Sequence, residues 1–265
     1  MKLLTLNTHS LMETDYVNKL NAFVNVVIKH KIDVIALQEV MQQTNANMYN
    51  GEYIKTDEIP LKQGNHVLNI AKSLKMKGEK YNFVWFGFKK SYDKFDEGLA
   101  ILTRHNIEEI KTVTLSPFDE YENWKTRKAL GVKIGEAWFY NVHFGWWESF
   151  EYEFLQLCNS IEKKKQNYIM GDFNAASCEK NQGYDFVLKH GFFDTYSLAK
   201  NKDEGFTANT KIDGWGETEN CKKVRIDYIF TTKMTDVKSS FTIFNGVNEQ
   251  IVSDHFGILL DTEGI

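Results

Sequence analysis

The sequence predicts an α/β protein: two mixed β-sheets packed face to face, with helices outside. Three observations carry that prediction. Short β-rich runs recur along the whole chain, and amphipathic helical stretches separate groups of them. Runs such as Leu99-Ala-Ile-Leu102 and Tyr168-Ile-Met170 are apolar without alternation, the pattern of strands covered on both faces. Layered sheets with outer helices accommodate this order in one core. The chain has 265 residues with only 2 Pro and no Ser- or Gly-rich stretch, so 1–265 is expected to be a single domain.

The first strand is expected over 2–7. A helix follows over 15–30, where Tyr16, Leu20, Phe23, Val24, Val27 and Ile28 share one face. Strands are expected over 33–38, 81–87, 98–103, 107–115, 128–134 and 137–143, with a weaker helix near 65–77. A second clear helix is expected over 149–164, aligning Phe150, Phe154, Leu157, Cys158 and Ile161, with Ser149 able to cap it. A strand over 167–172, a weaker helix near 181–190 and strands over 224–231, 236–244 and 256–260 complete the order. The polar stretches 41–64 and 197–223 have no regular pattern. Loops of that length in a compact domain are usually functional, and these are expected to wall a pocket.

Bulk properties narrow the function. A hydrophobic content of 42% with 26% charged residues is that of an ordinary globular protein. A net charge of -4, with no basic block longer than Lys163-Lys-Lys165, disfavours a grip on duplex nucleic acid, where neutralising phosphates supplies most of the affinity. Cys158, Cys178 and Cys221 stand at unpatterned spacing, which supports neither a zinc knuckle nor a disulfide framework and suits a reducing compartment. The N-terminus lacks a signal-peptide pattern, and no apolar stretch approaches the ~20 residues of a membrane span. The expected setting is the cytoplasm.

Polar residues recur where strands should end. Asn7 closes the first run, and Glu39 follows Asp33-Val-Ile-Ala-Leu-Gln38, where a buried carboxylate is costly unless paired or metal-bound. In Gly171-Asp-Phe-Asn174 the glycine admits a close approach, and in an extended chain Asp172 and Asn174 project to one side; an Asx-turn is the alternative reading. His143 ends another run, with Glu97 as a candidate partner. His255 needs a carboxylate to fix its tautomer, and either Asp227 or Asp254 can serve. No Gly-x-Ser-x-Gly, His-Glu-x-x-His, Walker or Gly-x-Gly-x-x-Gly motif is present. The available ligands are mainly oxygens, which favours Mg²⁺, or Mn²⁺, over zinc.

Asn7, Gln38-Glu39, Gly98-Leu-Ala-Ile-Leu-Thr-Arg104, Asn141-x-His143, Gly-Asp172-Phe-Asn174, Arg225-Ile-Asp227-Tyr and Ser-Asp254-His255 together resemble the endonuclease/exonuclease/phosphatase superfamily, in order, from residue 3 to 260. The resemblance implies a four-layer α/β sandwich with the site at one end of the two sheets. It also implies that Asn7 and Glu39 hold the divalent metal and that Asp172 orients or deprotonates the attacking water. Asn174 would contact a phosphate oxygen, His143 and His255 would flank the phosphate, and Asp227 would support His255. Asp254 would be a metal ligand or a second orienter. Asp172 and His255 both stand as candidates for general base. Several DNA-cleaving members carry Asp two residues after the first Asn; here that position is His9, which points away from nucleases.

The substrate is expected to be a small phosphate ester. Arg127, at the start of a strand, can add a bidentate phosphate contact. Trp146 and Trp147 follow His143 closely, and Trp215 lies in an Asp-Gly-Trp-Gly turn; flat aromatic faces of this kind take sugar rings or bases. The wording around Asn7-Thr-His9, Asp96-Glu-Gly98 and Asn141 to Trp147 resembles a bacterial subgroup that includes maltose 6'-phosphate phosphatases. The resulting expectation is a Mg²⁺-dependent phosphomonoesterase on a phosphorylated sugar. A phosphodiesterase on nucleic acid or a phospholipid headgroup, and an inactive phospho-ligand-binding regulator, are the alternatives.

Overall fold

The computed structural model describes residues 1–56, 58–208 and 223–263. In chain order the first elements are β1 (Lys2–Asn7), α1 (Tyr16–His30), β2 (Val34–Gln43), α2 (His66–Met76), β3 (Asn82–Ser91) and β4 (Phe95–Thr103). Next come β5 (Glu109–Thr114), β6 (Lys128–Ile134), β7 (Ala137–His143), α3 (Trp147–Ser160), β8 (Gln166–Asp172) and α4 (Gly183–Lys189). The last are β9 (Phe193–Asp194), α5 (Thr195–Leu198), β10 (Asn201–Lys202), β11 (Asp227–Thr231), β12 (Val237–Ile243) and β13 (Gly257–Thr262).

One sheet has the order β10-β12-β13-β1-β2-β4-β3 and the other β5-β6-β7-β8-β11-β9. Both are mixed: β1 runs parallel to β2 and β7 parallel to β8, while most other pairs are antiparallel. Period-2 alternation along each central strand feeds two cores at once. Leu3, Val34, Ala36, Val84 and Phe86 face Leu130, Val132, Phe139 and Met170 between the sheets. Their neighbours Leu4, Leu6, Ile35, Leu37 and Trp85 pack outward against α1 and α2, as with Phe23, Val27 and Leu68. On the far side Tyr140, Val142 and Ile169 meet Phe150, Phe154 and Leu157 of α3. The result is the expected α/β sandwich of two mixed sheets with helices outside.

Three local departures bear on the site. β2 runs on to Gln43, so Glu39 lies inside a strand, at a bulge where pairing with β4 shifts register between Leu37 and Val40. β4 begins at Phe95, which puts Glu97 inside a strand too. α3 starts at Trp147 instead of Ser149: the Trp146 carbonyl accepts the Ser149 and Phe150 N–H groups, and Ser149 is a first-turn residue, not the cap. The two-residue strands β9 and β10 are too short for any periodicity to register.

Candidate active site

Matching ends of the two sheets converge on one cleft. In the second sheet the register pairs His143 with Asp172 and Asp172 with Asp227, a single row across β7, β8 and β11. In the first, β1 ends at Asn7, paired with Gln38 of β2. Beneath this end the sheets are tied by buried amides: Gln38 Nε2 donates to Asn141 Oδ1 at 2.6 Å, and Asn141 Nδ2 donates to the Leu37 and Ala100 carbonyls at 2.8 Å each. Gly171 makes the β7–β8 approach possible. A Cβ there would sit 1.9 Å from the Val142 carbonyl oxygen.

Asp172 is the hub. Its Oδ2 lies 3.6 Å from His143 Nε2 and 3.8 Å from His255 Nε2, and it accepts Asn7 Nδ2 at 3.1 Å. Its Oδ1 accepts the Asn174 N–H at 2.9 Å. Asn174 takes a left-handed φ of 47°, so the chain here is an Asx-turn, not the extended segment expected, and its Nδ2 donates to the Phe144 carbonyl at 2.9 Å. The turn still delivers both side chains to the cleft wall. Burial and the charge of Asp227 push the Asp172 carboxyl above the usual carboxylate range, with His255 opposing.

His255 is oriented by Asp227, Nδ1 to Oδ2 at 3.0 Å, which resolves the choice left open by the sequence. Burial alone would lower its pKa, but Asp227 and then Asp172 hold it up to about 10. Ser253 Oγ donates to the Asn7 carbonyl at 2.7 Å and pins this loop to β1. Asp254 is exposed and turns to the rim, clustering with His9 and Glu13. His9 Nδ1 meets Glu13 Oε1 at 2.8 Å, and Glu13 also pairs with Lys19. That hydrogen bond raises the His9 pKa.

His143 is the opposite case. Burial, then Arg127 and Lys89, hold its pKa well below the ordinary value, so it is the neutral imidazole beside a cationic one. Glu97 is not its partner: Glu97 pairs with Lys89 at 2.9 Å. Among the described residues, Asp172 is the carboxylate within ion-pair distance of His143.

The donor set suits a hard divalent cation. Glu39 lines the cleft in a left-handed backbone (φ 51°), and burial followed by the charge of Glu97 raises its carboxyl pKa. Asp227 Oδ1 is buried with no hydrogen-bond partner. Asp172 and Asp227 add two more carboxylates, within 4.8 Å of one another and of the cationic His255. Asn7 lies between the carboxylates: its amide nitrogen bridges Glu39 Oε1 (2.9 Å) and Asp172 Oδ2, while its amide oxygen accepts the His9 N–H at 3.3 Å. It links the two carboxylates as a donor.

The cleft holds about 270 Å³. Arg127 lines it, as do four residues that the sequence reading does not single out, Lys89, Ser91, Tyr92 and Trp124. Trp124 and Trp146 meet edge to face at 6.1 Å between ring centroids, forming the aromatic side of the mouth. Trp147 is not part of that lining; as the first residue of α3 it lies on the exposed side of the helix start. Trp215 falls outside the described residues.

The sequence profile of the Endonuclease/Exonuclease/phosphatase family matches residues 4–255. No protein of curated function matches the chain. Among solved structures, a family protein from Leptotrichia buccalis C-1013-b is similar with a TM-score of 0.89 and 29% identity, covering 100% of both chains. A mannosyl-6-phosphatase from Bacteroides thetaiotaomicron VPI-5482 has a TM-score of 0.69 and 19% identity, with 100% of both chains covered. A 3' phosphatase from Neisseria bound to product DNA hairpin has a TM-score of 0.61 and 17% identity, again over 100% of both chains. At those two identities the likeness is one of fold. The profile match spans the converging strand ends, and by it the chain belongs to the Endonuclease/Exonuclease/phosphatase family of hydrolases.

Proposed function

We propose that the protein is a Mg²⁺-dependent phosphomonoesterase acting on a phosphorylated sugar. The observation that carries this reading is the make-up of the cleft. Its floor joins Asp172 to two histidines, and its mouth is the Trp124–Trp146 pair. A sugar ring offers an apolar face that an indole can cover, and a cleft of about 270 Å³ suits a small ligand. The mannosyl-6-phosphatase among the similar structures supports the same substrate class. The setting in this reading is the cytoplasm.

In this reading Glu39 would hold the ion, with Asp254 a further candidate carboxylate at the rim and Asn7 fixing the carboxylate positions. When bound, such an ion adds positive charge beside the phosphoryl oxygens. The chain's own groups do the rest. Asp172, on which Asn7, His143 and His255 converge, takes the proton of the attacking water. The water oxygen bonds to phosphorus as the P–O bond to the sugar breaks in line; the sugar oxygen leaves and takes up a proton from solvent water, to which Asp172 then releases its own. His255, cationic through Asp227, and His143 face the phosphoryl oxygens as their charge grows. Asn174 borders the same space.

The test is release of inorganic phosphate from sugar phosphates in Mg²⁺. Asp172→Ala and His255→Ala should each abolish it. Undiminished activity in both would overturn the site assignment. Nicking of plasmid DNA without phosphate release would favour a phosphodiesterase instead, and an absence of turnover with retained phosphate-ester binding would favour a regulator.

A further inference from the structure

Arg127 is a buried cation that makes no direct ion pair among the described residues. It is 6% exposed, and its backbone is clamped at the head of β6: its N–H donates to Ser116 Oγ at 2.9 Å and its carbonyl accepts the Leu115 N–H at 2.9 Å. Its Nε is buried with no hydrogen-bond partner, and no carboxylate stands within ion-pair distance of the guanidinium among the described residues. Beside it Lys89, 5% exposed, donates to the Trp124 carbonyl at 3.3 Å and pairs with Glu97. Both cations line the cleft and both act on His143, so they stand on the wall where the phosphate must lie. Lys89 has Glu97 in contact and the buried Glu153 feels both cations, but the Arg127 guanidinium has no carboxylate in direct contact among the described residues. Holding such a charge out of water is costly unless an anion completes it.

A phosphate diester carries one negative charge, whereas a monoester near neutral pH carries close to two. A diester also spends a second phosphoryl oxygen on its other substituent. We propose that Arg127, supported by Lys89 and its Glu97 partner, is the specificity determinant of the site: it reads the second negative charge and the free oxygens of a terminal phosphate and so favours monoesters over diesters. The proposal rests on the phosphoesterase reading above. Its guanidinium fork matches two phosphate oxygens, a geometry that lysine reproduces only as a point charge.

The experiment compares kcat/KM for p-nitrophenyl phosphate and bis(p-nitrophenyl) phosphate in the wild type, Arg127→Met, Arg127→Lys and Lys89→Met, with thermal unfolding of each. Arg127→Met should lower monoester kcat/KM by roughly 100-fold. The loss on the diester should be at least ~10-fold smaller, and Arg127→Lys should recover part of the monoester rate. A second arm measures inhibition by inorganic phosphate and by dimethyl phosphate, which needs no choice of reaction. Wild-type preference for phosphate should collapse in Arg127→Met. Equal losses on both esters, or an unchanged inhibitor preference, overturn the clamp. A wild type that cleaves only the diester overturns the monoesterase reading instead, and the inhibitor arm still decides the clamp. A variant that unfolds is replaced by Arg127→Lys, in which the same inhibitor preference must weaken.

Discussion

Asp227 and His255 form a buried pair, Oδ2 to Nδ1 at 3.0 Å, and Asp227 stands in register beside Asp172 on the neighbouring strand. One carboxylate thus orients the imidazole while the other receives its opposite nitrogen, with His255 Nε2 at 3.8 Å from Asp172 Oδ2. The imidazole is held charged between them. Replacing Asp227 by Asn removes the largest influence that raises the His255 pKa, so burial dominates and the value falls from about 10. An NMR titration of the His255 ring should show that drop, and kcat should fall by roughly 100-fold or more. An unmoved titration would mean that Asp227 does not set the charge.

Asp172→Asn should separate activity from stability. The carboxylate is buried and its pKa is raised by burial first, so the fold carries an unfavourable charge there. The amide keeps the shape and removes the charge. Activity should fall by about 1,000-fold while Tm rises by roughly 2–4 °C. A fall in Tm would contradict the burial argument.

The aromatic mouth makes a prediction in KM. Trp124→Ala or Trp146→Ala should raise KM for a sugar phosphate by about 5- to 10-fold with little change in Tm, because both rings are largely exposed and a stacking face contributes on the order of 1 kcal/mol. Trp147→Ala, outside the cleft lining, should leave KM alone. An effect of Trp147 equal to that of Trp146 would point to a different sugar platform.

Much of this site was legible because strand ends are legible. Asn7, His143 and Asp172 close apolar runs, and a strand's last residue projects past the sheet where a cleft can form. Glu39 was found for a partly mistaken reason: it sits at a bulge in the longer strand β2, and one sequence does not mark the extra residue of a bulge. Lys89 and Trp124 left no signal. Lys89 lies inside β3 where a charged side chain reads as a solvent-facing position, and Trp124 lies in a short loop three residues before Arg127. The cross-strand pairing of Lys89 with Glu97 in the β3–β4 hairpin and the meeting of Trp124 with Trp146 bring them to the cleft. The Asx-turn at Asp172 is the alternative that the sequence offers to an extended pair, and the structure has the turn, with both side chains on the cleft wall.

Acid should weaken the fold through His66, which lies outside the cleft lining. His66 is buried at the start of α2, its Nδ1 2.9 Å from the Tyr16 hydroxyl, and burial lowers its pKa from 6.5 to about 4. The unfolded chain takes up this proton near pH 6.5 and the folded chain only near pH 4. The associated stability is therefore complete above pH 6.5 and is lost as pH falls toward 4, roughly 3 kcal/mol in all. Urea unfolding at pH 7 and 4.5 should show a smaller acid loss for His66→Gln than for the wild type. Equal losses would clear His66 of the effect.

The most direct measurement of the central claim is phosphate release from maltose 6'-phosphate and glucose 6-phosphate with Mg²⁺, before and after chelation by EDTA, beside a plasmid-nicking assay at the same enzyme concentration. The account predicts phosphate release that chelation abolishes and re-added Mg²⁺ restores, with no nicking. Nicking without phosphate release, or release untouched by EDTA, would contradict it.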